Sequence, residues 1–237
     1  MTRASAKSPL GLQRNGRGRP RDEALQERRR EQILEKATRV FAEHGFPNTD
    51  VQFIADPLGI SKGTVYRYFP SKEQLFLAAV ERGVRQLDET MERATAHPDG
   101  VHVLITATRA YLEFFESHRD LVELFVQERA EFRGKRKAIY FERGCDKECG
   151  FKAMLEGLIA QGRLRPDIPV ERVMTVIGDL VYGTVITNHF AGRRKPFGEQ
   201  AADIIDVVFN GILTDGERRR LASLADSAGA AGRQKNL

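Results

Sequence analysis

Residues 59–76 read GISKGTVYRYFPSKEQLF and contain two tyrosines, one arginine and two lysines but a single acidic side chain. Gly59 can take the left-handed conformation that a tight turn requires. Ser61 can cap a helix that runs to about Phe69. Val65 and Phe69 are four residues apart, so both can face a core. The segment therefore predicts a short helix whose other side displays many hydrogen-bond donors and little negative charge.

Two further helices are predicted before this segment. Apolar residues recur at spacings of three and four through residues 33–41, which is typical of an amphipathic helix, and Gly45 can end it. A short helix follows, with Thr49 as its expected N-cap. Pro57 lies within that short helix and lacks an N–H, so we expect a bend or an early end there. Two short helices joined by a turn at Gly59, behind a longer helix, make a helix-turn-helix.

Positive charge is concentrated in the same part of the chain. Residues 1–75 hold 14 Lys or Arg and 9 Asp or Glu, whereas the rest of the chain has 24 of each, so the whole net charge of +5 lies in the first third. Residues 1–21 carry six basic side chains and no acidic one. Such a block is expected either to bind a polyanion or to be a solvated, disordered arm.

The rest of the chain is predicted to be helical. Ser71 begins a long helix, and no alternating strand pattern or internal repeat is found. The most apolar long stretch, residues 173–190, carries Asp179, so it is expected to be buried in protein rather than in lipid. No apolar segment follows the N-terminal charges as in a secretory signal, so a cytoplasmic protein is expected. Five more helical segments are predicted at 101–117, 119–132, 147–161, 170–191 and 198–214.

Residues that could carry catalysis or bind a metal form no recognisable set. The five histidines show no ligand spacing, and no phosphate-binding or nucleophile motif occurs. Cys145 and Cys149 are four apart without a second ligand pair, so two reduced thiols are the first interpretation and a thiol-sensing role is the second. We expect no enzyme activity, no cofactor and no metal.

A resemblance to a known family makes these predictions specific. The segment ILEKATRVFAEHGFPNTDVQFIADPLGISKGTVYRYFPSKEQLF, within residues 28–76, resembles the DNA-binding domain of the TetR family of transcriptional regulators. The glycine turn, Ser-Lys-Gly-Thr, the aromatic pair followed by Phe and the Lys-Glu-x-Leu all occur at the family's spacing. The resemblance covers about a fifth of the chain and implies an all-α protein of about nine helices.

The resemblance also implies an organisation and a function. We expect a disordered basic arm at 1–21, a three-helix helix-turn-helix DNA-binding domain at 22–75, a helical effector-binding and dimerisation domain at 76–217, and a flexible tail at 218–237. Such a protein is expected to be a repressor that binds a palindromic operator in double-stranded DNA as a homodimer. The helices near 170–191 and 198–214 are the expected dimer interface, and a small-molecule effector would release the DNA.

Eleven residues are expected to contact DNA. The matching family positions place Lys62, Thr64 and Arg67 near base edges. Tyr66, Tyr68 and Lys72 are expected at phosphates. Arg17 and Arg19 belong to an Arg-Gly-Arg-Pro segment that resembles a minor-groove-binding AT-hook. The full set is Arg17, Arg19, Thr49, Ser61, Lys62, Gly63, Thr64, Tyr66, Arg67, Tyr68 and Lys72.

The effector and its pocket are not identified by the sequence. Large or polar groups on otherwise apolar helices are either plain core or pocket lining. Two other functions fit the helix-turn-helix: a DNA-processing enzyme, which needs a metal-binding carboxylate set, and an architectural protein, which binds without a palindrome or effector. The candidate pocket residues are Tyr111, Phe114, Phe115, Met154 and His189.

Overall fold

The computed structural model describes residues 19–134, 137–142, 145–193, 195–221 and 223, with side chains from residue 23 onward except at 145–149. Within these ranges the secondary structure is helical, apart from one isolated antiparallel bridge between Leu164 and Leu213. The helices are α1 (Arg19–His44), α2 (Gln52–Ala55), α3 (Lys62–Tyr68), α4 (Lys72–Thr95), α5 (Gly100–Ser117), α6 (Arg119–Glu131), α7 (Ile139–Glu142), α8 (Cys145–Ala160), α9 (Val170–Ala191), α10 (Phe197–Ile204) and α11 (Asn210–Ile212). The predicted all-α fold with an N-terminal helix-turn-helix is confirmed.

The first three helices share one hydrophobic core with the helices that follow. Phe41 of α1, Ile54 of α2 and Val65 of α3 are fully buried. They belong to the same cluster as Phe76 of α4 and Phe125 of α6. In this shared core α2 packs against α1 and α3, and α1 in turn packs against α4 and α6.

Helices α4 and α6 approach each other closely at Gly83. A Cβ atom placed on Gly83 would lie 2.7 Å from Leu121 Cδ2, well inside van der Waals contact. Leu121 is 2% exposed, so its side chain has little room to move. The absence of a side chain at Gly83 therefore allows the long helix that follows the helix-turn-helix to rest against α6.

A second core holds the other end of the molecule together. Leu104 of α5, Leu155 of α8, Val173 of α9 and Phe209 are buried in this cluster. Residues 215–221 form a further helical segment beside it. This segment includes residues 218–221, the start of the expected flexible tail, and its Arg220 forms an ion pair with Asp99, the N-cap of α5.

Two other differences concern where helices begin and change form. Helix α1 begins at Arg19, within the segment expected to be a disordered arm. Pro20 is compatible with this start because the first helical N–H groups have no intrahelical partner. The single segment predicted at 198–214 consists of α10, a π-helical turn at Ile205–Phe209 and α11. The four-residue helix α7 was not predicted, since one turn carries no periodicity.

No helix in the described part of the chain combines the length and the apolar character that a bilayer-spanning segment requires.

Candidate nucleic-acid interface

The turn between α2 and α3 has the geometry that its residues predict. Gly59 lies in the left-handed region at φ +64°. Its N–H donates to Asp56 O at 3.0 Å, and Ile60 N donates to Ala55 O at 3.2 Å. The expected early end at Pro57 is confirmed, because α2 stops at Ala55 and continues as a 3₁₀ turn over Asp56–Leu58.

Helix α3 is fixed by a cap at its start and by two buried residues. Ser61 Oγ accepts a hydrogen bond from Thr64 N at 3.1 Å, as predicted. Ser61 Oγ and Thr64 Oγ1 are also 3.0 Å apart. Val65 is fully buried and Phe69 is 4% exposed, so both anchor the helix on the core. The remaining side of α3 is presented to solvent in a fixed orientation.

The exposed side of α3 carries the donors that the sequence singled out. Tyr66 is 37% exposed, and Gly63 and Arg67 are also exposed. Lys62, Thr64 and Tyr68 are half-buried. The Arg67 guanidinium carbon lies 5.8 Å from the centre of the Tyr68 ring. The structure thus brings six of the predicted DNA-contacting residues onto one short helix, and Ser61 caps it.

A carboxylate that sequence analysis overlooked lies beside Lys62. Asp50 Oδ1 is 2.6 Å from Lys62 Nζ and accepts the Gln52 N–H at 2.9 Å. The pKa of Asp50 is lowered by the Gln52 N–H and then by Lys62. The pKa of Lys62 is raised by its hydrogen bond to Asp50. No local sequence signal marks this pair, because its two partners are twelve positions apart and meet only across the turn.

Lys72 has a structural contact that was not predicted. Its Nζ donates to Pro47 O at 3.0 Å and to Thr49 O at 3.1 Å. It also lies 4.9 Å from the centre of the Phe46 ring. Lys72 therefore ties the first turn of α4 to the loop between α1 and α2. One N–H of the ammonium group remains beyond these two bonds.

Thr49 is not the N-cap of α2. It is 3% exposed, and its hydroxyl donates to Gly45 O at 2.7 Å. The N-cap prediction is wrong because α2 begins at Gln52 after Val51, and the Gln52 N–H donates to the Asp50 carboxylate. The expected phosphate contact of Thr49 stays a prediction.

The two arginines of the basic arm lie at the edge of the described part of the chain. Arg17 lies outside the described residues. Arg19 begins α1, with its side chain outside the description. Their contact with the minor groove stays a prediction. Cys145 and Cys149 lie on α8, and their side chains are outside the description. Among the described residues, no group of three His, Cys, Asp or Glu side chains could hold a metal ion.

The loop after α1 is also held in place by hydrogen bonds from a side chain of α6. Gln127 of α6, 9% exposed, accepts the Phe46 N–H at 3.0 Å and donates to Phe41 O at 2.9 Å. The same amide nitrogen donates to Glu123 Oε1 at 3.0 Å, and Glu123 Oε2 lies 2.9 Å from His189 Nε2. These hydrogen bonds, named here the Gln127 chain, connect α9 through α6 to the helix-turn-helix.

Three of the five candidate pocket residues are brought together, because Tyr111 and Phe114 each pack against the Phe115 ring with ring centres 5.1 and 5.2 Å apart. Tyr111, Phe114 and Phe115 are buried in the first core, whereas Met154 packs against the second. The Tyr111 hydroxyl is 2.8 Å from that of Tyr140, and burial raises the pKa of Tyr111. None of the five lines the cleft of about 300 Å³ between α5 and α10 or the cleft of about 400 Å³ between α1, α4 and the α5–α6 turn.

Sequence comparisons agree with this geometry. Residues 33–79 match the family model of bacterial regulatory proteins of the tetR family. The chain is 36% identical over 115 residues to the HTH-type transcriptional activator FasR of Mycolicibacterium smegmatis, covering 48% of this chain and only 50% of FasR. It is 31% identical over 197 residues to the HTH-type transcriptional repressor KstR2 of Mycobacterium tuberculosis, covering 79% of this chain and 94% of KstR2.

Solved structures show the same fold. The ketosteroid transcriptional regulator KstR2 of Mycobacterium tuberculosis matches with a TM-score of 0.62 at 25% identity, over 79% of this chain and 96% of that chain. FadR from Bacillus subtilis, solved in complex with stearoyl-CoA, matches with a TM-score of 0.58 at 19% identity, over 75% and 96%. The likeness to FadR concerns the fold alone.

Proposed function

The chain belongs to the TetR family of bacterial transcriptional regulators, and from this premise we propose that it represses transcription as a dimer on a palindromic operator and is released by a small-molecule effector. It is a DNA-binding regulator rather than an enzyme. The observation that carries the proposal is α3, whose cap at Ser61 and buried Val65 and Phe69 leave a rigid polar side exposed.

The proposed contacts follow from how each side chain is held. Arg67 and Thr64 are assigned to base edges, as is Lys62. Arg67 is exposed and long enough to bind guanine O6 and N7 with two hydrogen bonds. Tyr66 and Tyr68 are assigned to phosphates, since a phenolic hydroxyl donates without selecting a base. Phosphate contacts of this kind fix the position of α3 in the major groove.

Exposed apolar residues on α9 and in the π-helical turn after α10 support a dimer. Val176 and Phe190 of α9 are 49% and 68% exposed, and their spacing of fourteen residues places them on one side of the helix. Val207, in the turn after α10, is 76% exposed. Apolar groups of this size on two neighbouring helices are suited to pairing with a second copy about a two-fold axis. Two copies of α3 would then face two half-sites.

Sedimentation equilibrium tests the dimer. The wild type is expected at twice the 26.7 kDa chain mass, and Phe190→Glu combined with Val207→Glu is expected near the monomer mass, because each charge would be buried in the interface. Leu25→Glu is the matched control, since Leu25 is 63% exposed but lies on α1. A double variant that stays dimeric would place the interface elsewhere.

The response to an effector is proposed to use the Gln127 chain. A ligand shifts a conformational equilibrium only by binding one state better than the other. The Gln127 chain gives a change at α9 a direct route to the backbone after α1. The fold itself can hold a ligand, because FadR was solved with stearoyl-CoA.

Hydrogen exchange tests this coupling without knowledge of the effector. His189→Ala is expected to increase exchange of the Phe46 amide. The variant removes the contact between His189 and Glu123, and Glu123 is the residue that orients Gln127, the partner of the Phe46 amide. Thr187→Ala, an exposed position on the same helix, is the control and is expected to leave Phe46 unchanged. Equal protection of Phe46 in the wild type and the His189 variant would contradict the coupling.

A further inference from the structure

The pair formed by Asp50 and Lys62 has features of a functional rather than a structural contact. Both side chains are open to solvent, at 49% and 41% exposure. The pKa of Asp50 is lowered and that of Lys62 is raised, so both are charged at neutral pH. Exposed ion pairs stabilise a fold little, because water and salt screen them. The pair is therefore not needed to hold α3, which is fixed by Ser61, Val65 and Phe69.

Asp50 nevertheless lies where a negative charge is unfavourable for binding DNA. It precedes α2, and its carboxylate is bonded to Lys62, the first residue of α3. A carboxylate here repels phosphates, and it also neutralises a lysine that could otherwise bind one. A neutral pair releases no counterion when it approaches DNA. The expected consequence is weaker binding to DNA in general.

We propose that Asp50 is a specificity-determining residue that holds Lys62 for base reading and withholds its charge from phosphates. An ammonium group has three N–H donors, and the bond to Asp50 uses one of them. Two remain for acceptors such as guanine O6 and N7. At the operator, Lys62 donates to a base while still bonded to Asp50. On other DNA no base acceptor lies within reach of Lys62, and the neutral pair adds nothing to the free energy of binding. This inference rests on the proposed function, since it requires α3 to read bases.

The substitution Asp50→Asn tests the inference, because asparagine keeps the size of the side chain and can still accept the Gln52 N–H. Binding to a random-sequence duplex is measured against salt concentration and compared with binding to a selected operator. The variant is expected to bind random DNA roughly threefold to tenfold more tightly at 0.1 M salt. Its plot of log affinity against log salt is expected to steepen by about 0.9 for each bound protomer. Operator affinity is expected to rise less, so the ratio of operator to random affinity falls.

Two control variants separate this effect from a general change of charge. Asp56→Asn removes the same charge nearby, but the Asp56 carboxylate bonds the Gln52 side chain rather than Lys62. Its salt slope is expected to match that of the wild type. In a Lys62→Met background, Asp50→Asn is expected to leave the salt slope unchanged, because the charge that it would release is gone.

Three results would overturn the inference. Equal effects of Asp50→Asn and Asp56→Asn on both duplexes would show a general charge effect. A lower thermal unfolding temperature of Asp50→Asn with weaker binding to both duplexes would show that Asp50 is only a cap. If the wild type binds DNA but Asp50→Asn changes neither the affinity nor the salt slope, the role of Asp50 is refuted while the proposed function stands. A wild type that binds neither duplex would instead refute the proposed function, and the inference with it.

Discussion

At the scale of single residues, base recognition is predicted to depend most on Arg67. It is exposed on α3 and lies against the Tyr68 ring, which restricts its orientation. We predict that Arg67→Ala relaxes specificity at one or two base pairs, with a loss of about 1–3 kcal/mol of discrimination there. Competition binding against single-base operator variants measures this. Tyr68→Ala is the comparison and is expected to weaken binding to all sequences. If Arg67→Ala loses the same affinity on every operator variant, base reading by Arg67 is contradicted.

Lys72 is predicted to affect both folding and DNA binding. Lys72→Met keeps the apolar stem but loses the bonds to Pro47 O and Thr49 O. The free energy of unfolding is expected to fall by about 1–2 kcal/mol, since a charged donor to two carbonyl groups is lost. Affinity is expected to fall on all DNA sequences. Urea denaturation measures the free energy of unfolding. Tyr68→Phe is the control, since it is expected to lose a phosphate contact without losing stability. If Lys72→Met is as stable as the wild type, the role of Lys72 is limited to phosphate binding.

Residues whose role is local were predicted correctly. The turn at Gly59, the cap at Ser61 and the early end of α2 at Pro57 each follow from the residue and its immediate neighbours. The cap expected at Thr49 was wrong and the pairing of Asp50 was not predicted, because both depend on which side chain reaches a group across the turn. Such contacts are fixed only when the helices have packed.

At the scale of elements, the packing of α4 against α6 is predicted to require the absence of a side chain at Gly83. The methyl group of Gly83→Ala meets Leu121, and this crowding is expected to cost roughly 1–3 kcal/mol of stability. Because alanine also brings a gain of about 1 kcal/mol to a helix interior, the net destabilisation is expected to reach about 2 kcal/mol. Chemical denaturation measures the change.

Two variants test whether the crowding at Leu121 is the cause. Gly157→Ala on α8 meets no atom within 4 Å and is expected to be neutral or stabilising. Adding Leu121→Ala to Gly83→Ala is expected to cost less than the sum of the two single changes, since the methyl group then has room. Simple additivity would show that α4 and α6 are not in contact as described.

Periodicity predicted the long helices well. Segments expected at 119–132 and 170–191 correspond to Arg119–Glu131 and Val170–Ala191. Apolar spacing identifies such helices because several turns repeat the same pattern. The π-helical turn at Ile205–Phe209 has no such signal, since five residues do not repeat a pattern.

At the scale of the whole molecule, an ion network holds the C-terminal helix against the elements of the second core. Arg163 Nη2 lies 2.9 Å from Asp99 Oδ1 and 2.7 Å from Glu217 Oε1, and Arg220 Nη2 lies 2.8 Å from both carboxylates. This network joins the start of α5, the α8–α9 loop and the helix at 215–221. Partners up to 121 residues apart cannot be paired from sequence.

This ion network predicts how stability depends on pH. Arg163 and Arg220 lower the pKa of Glu217 from 4.5 to about 2. The carboxylate therefore stabilises the fold above pH 4.5, and this stabilisation, on the order of 2–3 kcal/mol, is lost as the pH falls towards 2. Denaturation at a series of pH values should show a shallower dependence in Glu217→Gln. Asp215→Asn, whose side chain is 80% exposed, is the control and should keep the wild-type profile; equal profiles for all three proteins would contradict the prediction.

The most direct test of the central claim is selection of duplexes from a random pool by the purified full-length protein at near-physiological salt. A dimer that reads DNA through α3 should enrich a palindrome whose half-sites are about one helical turn apart. Enrichment of A·T-rich DNA without two-fold symmetry would contradict this account and favour an architectural protein that binds through its basic arm.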